Sequence, residues 1–428
     1  MRDMETVQDG IMGGTVIIIG SGPAGLAAAV SLKRSGFRPL ILERLGSPSQ
    51  KLLASGGGRC NFSNILDPDD FMGRFGRNGA FMRDALRFAP RPFLLDFLKS
   101  QRVNAVLTDD FYYFPASGKA RDISEAFLLA SGAEVRTHAE AASILRTDGR
   151  VSGVMLADGE RLAADAVILA AGGCAWSGLG SDAGLKLAAD LGHTIRKPLP
   201  AVAPLLVREP WVGSLAGVTL PQAGLTLGSG RNRRHEAGSL LFTHEGLSGF
   251  PALNLAGEAA SLCDLHGEAK LLLAVRTDIG EKRWQEIFEE ARQHSGQRSV
   301  RSVLSEYIPR SLAEIMTAEC SCCELKTARL PGEACRKLTG MLTACPLTLT
   351  GAGPMGKAMA MRGGISLKEV NPADLSSKLV KGLYFAGEIL DLDGPCGGYN
   401  MQWAFSSGFL AGHSAAEWLK NQQGEQFS

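Results

Sequence analysis

Residues 15–44 read TVIIIGSGPAGLAAAVSLKRSGFRPLILER, and the fold is decided there. Thr15 to Ile19 form an unbroken β-branched run, as expected of a strand buried on both faces of a parallel sheet. Gly20 permits a tight turn, Gly22 lets main chain approach a pyrophosphate, and Gly25 lets the next helix lie close to the strand. Pro23 and Ala24 complete this candidate dinucleotide loop. The helix runs through LAAAVSLKRSG to Gly36, RPLILE is the second strand, and Glu43 and Arg44 close it. An acid roughly 20 residues beyond the last glycine accepts hydrogen bonds from a ribose diol and disfavours a 2′-phosphate, so the expected dinucleotide is FAD or NAD.

A second G-x-G-x-x-G, GAGPMG at Gly351, Gly353 and Gly356, follows the apolar PLTLT. Only KAMAMR separates it from Gly363 and Gly364, too short for the crossover helix of a parallel unit. The position where an acid belongs falls on Asp374, inside the polar NPADLSSK. One dinucleotide site is therefore expected, and a nicotinamide donor would visit without a Rossmann fold of its own.

A chain of 428 residues is too long for one hydrophobic core and implies two or three domains. Its 45% apolar and 21% charged residues and its formal charge of +1 describe a soluble globular protein with no global attraction to nucleic acid or anionic membrane. With no apolar run long enough to span a bilayer, and no export signal in MRDMETVQDG, the cytoplasm is expected. Nine cysteines, an odd number scattered along the chain, fit a reducing compartment better than a disulfide framework. The CSCC group at Cys320, Cys322 and Cys323, with Cys335 and Cys345 beyond it, lacks paired C-x-x-C knuckles, so no metal is expected.

Two later stretches return to the nucleotide fold. ADAVILAAGG gives a strand at Val167 to Ala171, then Gly172 and Gly173, where a cofactor can approach the backbone. KGLYFAGEILDLDGPCGGYNMQWAFSSGFLAG reads as strand, Gly387–Glu388 turn, glycine-rich loop through Gly397, and a long helix starting near Gly398 with Tyr399, Asn400 and Met401 at its head. Glu388 or Asp391 can hydrogen-bond a ribityl chain, and the helix N-terminus would stabilise a reduced, anionic flavin. A βαβ unit at one end of the chain and a strand, acid and helix at the other make up the glutathione-reductase-like FAD-binding Rossmann domain, an α/β fold. SGGGRCN adds three glycines at Gly56 to Gly58, able to lie against a flat ring or an anion, and the charge of Arg59.

Five stretches in order carry a resemblance over nearly the whole chain: KLLASGGGRCNFSN (51–64), ILAAGG, GLGSDAGLKLAADLGHTI, LFTHEGLSGFPALNLAG (241–257), and the segment from GGISLKEV to GFLAG. The sequence resembles the BaiN/YhiN-like (BaiN/RdsA) family of FAD-dependent oxidoreductases. The resemblance implies FAD and places Lys51, Ser55, Gly56, Gly57, Arg59, Cys60, Asn61 and Ala171 near it. It implies an inserted β-barrel with a helical part, and brings the loop bearing His244 and Ser248 over the flavin. Proline-spaced PLPAVAPLL, short strands between glycine turns, and an amphipathic helix with Trp284, Ile287, Phe288 and Ala291 support such an insertion. The expected domains are 1–196 and 347–428 for FAD, and 197–346 for the insertion, with helices at about 276–318. Cys345 to Thr350 read as a strand returning to the flavin domain.

The resemblance leaves three readings open. One is NAD(P)H-linked reduction of an electron-poor C=C bond in a small molecule, with hydride leaving flavin N5, Arg59 near the reacting centre and His244 or Tyr399 as proton donor. Another is dihydrouridine formation in rRNA, for which Arg74, Arg77, Arg83, Arg87 and Arg91, interleaved with Phe75, Phe81, Phe88 and Phe93, and RNRRH at 231–235 would supply a phosphate-binding, base-stacking rim. The last is an amine oxidase using O2. DDFYYFPASGKA places Phe111, Tyr112 and Tyr113 where the family often carries an acidic-Gly-Arg element, and bears on specificity.

Overall fold

The computed structural model describes residues 13–228 and 233–426. Two compact units result: residues up to Pro198 together with those from Ala360 onward, and Leu199–Met359.

In the first unit, β1 (Val16–Ile19), β2 (Pro39–Leu42), β3 (Glu134–Arg136), β4 (Ala166–Leu169) and β5 (Leu383–Phe385) form a sheet in the order β5-β4-β1-β2-β3. Every pairing is parallel. Val16, Ile17 and Ile18 are fully buried, as are Val167, Ile168 and Leu169, so the β-branched runs fill the centre of a sheet covered on both faces. Helix α1 (Pro23–Arg34) connects β1 to β2, and the last helix, α2 (Tyr399–Gln426), packs along it. Small residues set that approach: a Cβ on Gly408 would stand 2.1 Å from Ala24 O, and one on Gly412 2.4 Å from Ala28 O. The small face of α2 thus meets α1.

In the second unit, six strands close a barrel in the order Leu205–Val207, Gly246–Gly249, Arg234–Phe242, Thr219–Leu227, Ala269–Ala274, Cys345–Ala352. Helices Glu281–His294, Val300–Leu304, Arg310–Glu319 and Gly332–Ala344 precede the last strand. Trp284, Ile287, Phe288 and Ala291 are buried, the stripe expected of that helix. Two boundaries differ from expectation. The helical part continues to Ala344, beyond about 318, and Cys345–Ala352 does not return to the flavin domain: it pairs with Ala269–Ala274 and Leu205–Val207. Its alternating buried Cys345, Leu347 and Leu349 suit either sheet, and only the pairing distinguishes them. The return comes at Ala360–Ile365, which pairs with the outgoing Ile195–Ala201, so the expected boundary at 346 moves to 359.

GAGPMG straddles the end of that barrel strand and runs into a single 3-10 turn, Met355–Lys357, in place of a helix. Without a helix N-terminus it cannot cradle a pyrophosphate as the first match can.

Near the outgoing strand, buried His193 places Nε2 2.8 Å from Ser377 Oγ and Nδ1 3.5 Å from Glu369 Oε2, while Glu369 accepts from Thr194 N and Oγ1 at 2.7 Å each. Burial pushes the His193 imidazole below its ordinary value, with Glu369 opposing in part, and the Thr194 hydroxyl holds Glu369 below the usual carboxylate range. Both shifts have the same sign for stability. Below the ordinary histidine value of 6.5 the unfolded chain takes up a proton that the folded chain resists, and below 4.5 Glu369 adds to the loss. Thermal unfolding should come at lower temperature as pH falls from about 7 to about 5. His193→Gln should flatten that slope, which melts of both proteins across the range would show.

Candidate functional site

Strand β1 delivers the chain to Gly20, whose φ of +104° is open only to glycine, and a Cβ there would meet Ala170 O at 2.5 Å. Gly22 caps α1, Pro23 follows, and Leu26 N closes the first turn on Gly22 O at 2.9 Å. Nothing stands within 4 Å of a Cβ built on Gly22. The amides of Ala24 and Gly25 have no intrahelical acceptor, so this open space faces a helix N-terminus suited to an anion. Gly25 is shaped by the opposite demand, since its Cβ would lie 1.9 Å from Gly20 O.

Glu43 locks this loop. One carboxylate oxygen accepts from Ser21 N at 3.1 Å and from the Ser21 hydroxyl, and the other accepts from Leu45 N at 2.7 Å. Three donors leave one of the carboxylate's roughly four acceptor positions for a ribose hydroxyl. Ser21 is a residue sequence reasoning missed; its signal was its place between the first two glycines. Arg44 donates to Leu179 O at 3.3 Å.

Glu388 joins three segments. Its carboxylate pairs with Lys51 Nζ at 2.6 Å and accepts from Gly173 N at 3.2 Å and Met361 N at 2.9 Å. The Gly172–Gly173 turn after β4 is thereby held next to the Gly387 turn after β5. Gly387 lies against α1: its Cβ would stand 2.9 Å from Ala24 Cβ. Ala171 and Gly172 remain partly exposed. Burial and the neighbouring Asp393 push the Asp391 carboxyl above its ordinary value, and Asp393 is paired with Arg362 at 2.9 Å.

Gly397 and Gly398 lead into α2 with φ of +119° and +81°. A Cβ on Gly398 would lie 2.5 Å from Ser63 O and 2.6 Å from Asn61 Oδ1, so the loop is seated on residues 61–64. Asn64 donates to Gly397 O at 2.8 Å, and Asn400 holds both N and O of Gly394 at 2.8 Å. Met401 is partly exposed in the same turn. Tyr399 departs from expectation. Its ring lies 5.1 Å from Phe71 and 6.3 Å from Phe75 with 4% of its surface exposed, so it packs among core aromatics where an exposed side chain was expected.

Residues 55–60 make a tight loop in which Gly56, Gly57, Gly58 and Cys60 all have positive φ, and Ser55 Oγ bonds Leu52 O at 2.7 Å. Gly56, Gly57 and Arg59 are exposed. Burial pushes the Cys60 thiol up to about 12 and the Cys396 thiol up to about 11, so both stay protonated and unreactive at neutral pH, which disfavours a redox dithiol. His244 stands in the second unit, exposed in the turn between Arg234–Phe242 and Gly246–Gly249.

Most of the candidate stacking residues do not present a face. Phe75 is buried against Tyr399, Phe81 stands 6.4 Å from Trp403, and Phe93 meets Phe409 edge-on at 5.0 Å; Phe88 is 38% exposed and stacks on His413. Arg91 donates to Asn64 O and Leu66 O and is structural. Arg74, Arg77, Arg83 and Arg87 are exposed. Of the second basic group, Arg231 and Asn232 lie outside the described residues, and Arg234 pairs with Glu258 at 3.3 Å.

The open space at Gly22, the glycine turns at 56–58 and 172–173, and the helix head at Gly398 fit an extended FAD. Fold and site define a flavin-dependent oxidoreductase. The chain belongs to the HI0933-like protein Rossmann domain family, which matches residues 14–414. It is 29% identical to the 3-dehydro-bile acid delta(4,6)-reductase of Clostridium scindens over 419 residues, covering 94% of this chain and 98% of that one. It is 27% identical to the ribosomal RNA dihydrouridine synthase of Haemophilus influenzae over 404 residues, 92% of this chain and 96% of that one. Among solved structures, 3-ketosteroid delta1-dehydrogenase from Sterolibacterium denitrificans aligns with a TM-score of 0.51 at 13% identity, covering 94% of this chain and 99% of that one, and shares the fold. No helix among the described residues is long and apolar enough to cross a membrane.

Proposed function

We propose that this chain reduces an electron-poor C=C bond in a small molecule, with NAD(P)H as the transient electron donor. When bound, FAD supplies the hydride chemistry. The observation that carries the reading is the aromatic hairpin of Ala105–Thr108 and Tyr112–Pro115. Tyr112 comes within 2.9 Å of a Cβ built on Gly397, and Phe114 within 3.9 Å of one built on Gly56, so a half-exposed aromatic surface adjoins both glycine loops. Flat apolar rings at that place suit a flat, conjugated, apolar substrate. Burial raises the Tyr112 hydroxyl above its ordinary value, with Cys396 and Asp109 adding to the shift, so it stays neutral beside that surface. The reductase relative, whose name specifies a bile acid Δ4,6 reduction, supports the same bond class.

The test is anaerobic flavin bleaching with NADH, NADPH and amines in turn, followed by addition of a conjugated enone. Bleaching by a nicotinamide and reoxidation by the enone are expected. Bleaching by an amine, with peroxide release in air and no response to either nicotinamide, would replace this reading with an oxidase.

An rRNA substrate is the second reading. It is favoured by the exposed Arg74, Arg77, Arg83 and Arg87, which have no ion-pair partner among the described residues, and by the dihydrouridine synthase relative. If all four meet phosphates, binding to rRNA fragments should weaken with a log–log salt slope of about −3 to −4. No retention at low salt would sink this reading.

A further inference from the structure

We propose that Arg59 is the recognition group for a carboxylate carried by the substrate; this rests on the small-molecule reading above. The guanidinium carbon lies 5.1 Å from the centroid of Phe114, over its face, and Nε donates to Gly56 O at 3.4 Å. Phe114 is itself set against the glycine loop, 3.9 Å from where a Gly56 Cβ would be. The guanidinium is thus held from two sides by parts of one loop and one strand.

No carboxylate of the described residues pairs with it, whereas Arg362, Arg276 and Arg136 each have an acidic partner within 3.0 Å. Its Nη1 and Nη2 edge has no protein acceptor among the described residues. An exposed arginine ordinarily keeps most of its rotamer freedom, which binding must then remove. Stacking on an aromatic face removes much of that freedom in advance, so less is lost when the planar fork binds. A planar, bidentate anion is what such a fork matches, and a carboxylate has that geometry. Arg59 is itself exposed, and two residues before it the exposed Gly57 has nothing within 4 Å of a Cβ built on it, so the loop is open to solvent. The aromatic surface and the charge together describe a flat conjugated molecule with an acid at one end.

The experiment uses flavin-loaded protein and a matched pair, 4-carboxychalcone and its methyl ester. Affinity is measured by calorimetry, separately from reoxidation of the reduced flavin by each compound. The acid should bind about 10- to 100-fold more tightly than the ester. In Arg59→Gln that preference should vanish, in Arg59→Lys a small part should survive, since the charge remains without the fork, and in Phe114→Leu it should fall several-fold. The proposal is overturned if wild type shows no acid preference, whether both compounds bind or neither does. It is also overturned if the preference survives in Arg59→Gln, or if that variant loses its flavin, which would make Arg59 a cofactor ligand. The reductase reading fails separately: the acid would bind preferentially while neither compound reoxidises the flavin.

Discussion

Gly25→Val is expected to yield protein without flavin and to destabilise the fold by about 3 kcal/mol or more. Even the first carbon of the new side chain would stand 1.9 Å from Gly20 O, 3.1 Å from Gly20 C and 3.2 Å from Ile18 Cγ2. The obstructing atoms are mostly backbone and cannot turn aside. Gly20 cannot retreat either, because its own Cβ direction is closed by Ala170 O at 2.5 Å. Helix α1 would have to lift from β1 and carry the phosphate-facing amides with it. Gly22→Ala separates packing from binding. Its methyl group enters space with no neighbour within 4 Å, so the flavin-free protein should melt within about 0.5 kcal/mol of wild type. Flavin affinity should nevertheless fall about 10- to 100-fold, the value of lost hydrogen bonds to a charged group. Melts of the flavin-free proteins, with the flavin-to-protein absorbance ratio after reconstitution, check both. Full affinity in Gly22→Ala would mean that the pyrophosphate does not sit at the head of α1.

The contrast between these two glycines shows what the sequence made legible. Turn, helix and strand at 16–43 are specified by neighbours a few residues apart, so the spacing of Gly20, Gly22 and Gly25 conveyed the local geometry. The start of α2 was legible for the same reason, with paired glycines ahead of a long helix. Other features depend on partners distant in sequence. Cys345–Ala352 alternates like any half-buried strand, and only pairing with Ala269–Ala274 assigns it to the barrel. Tyr399 looked available because it follows two glycines, yet Phe71 and Phe75, more than 300 residues earlier, enclose it. Phe75, Phe81 and Phe93 resembled a stacking surface through their alternation with arginine. An amphipathic helical segment shows the same alternation, and here the aromatic side packs inward while most of the arginines stay in water. Arg59 was marked by its neighbours Gly56–Gly58, but its support on Phe114 joins residues 55 apart.

Glu388→Ala carries the other large expected effect, and through a different cause. The deletion leaves Gly173 N and Met361 N without their acceptor and Lys51 without its counter-ion. Gly173 and Met361 are buried, and an orphaned buried donor costs about 1–3 kcal/mol each. The Lys51 and Glu388 side chains are 26% and 18% exposed, so solvent screens part of the ion pair and its share is smaller. A total near 3 kcal/mol is expected, dominated by the two amides. Lys51→Met tests that division: it removes the charge but leaves both amides bonded, and should cost less than about 1 kcal/mol. An equal loss in the two variants would assign the stabilisation to the ion pair. The effect on flavin should also differ from that of Gly25→Val. Glu388 holds the Gly172–Gly173 turn and Met361 in common position, so its loss loosens one wall without blocking the site. Loading of Glu388→Ala should therefore recover with excess FAD, followed as flavin absorbance retained after reconstitution. Gly25→Val should not recover at any FAD concentration, because the glycine loop at 20–25 no longer forms.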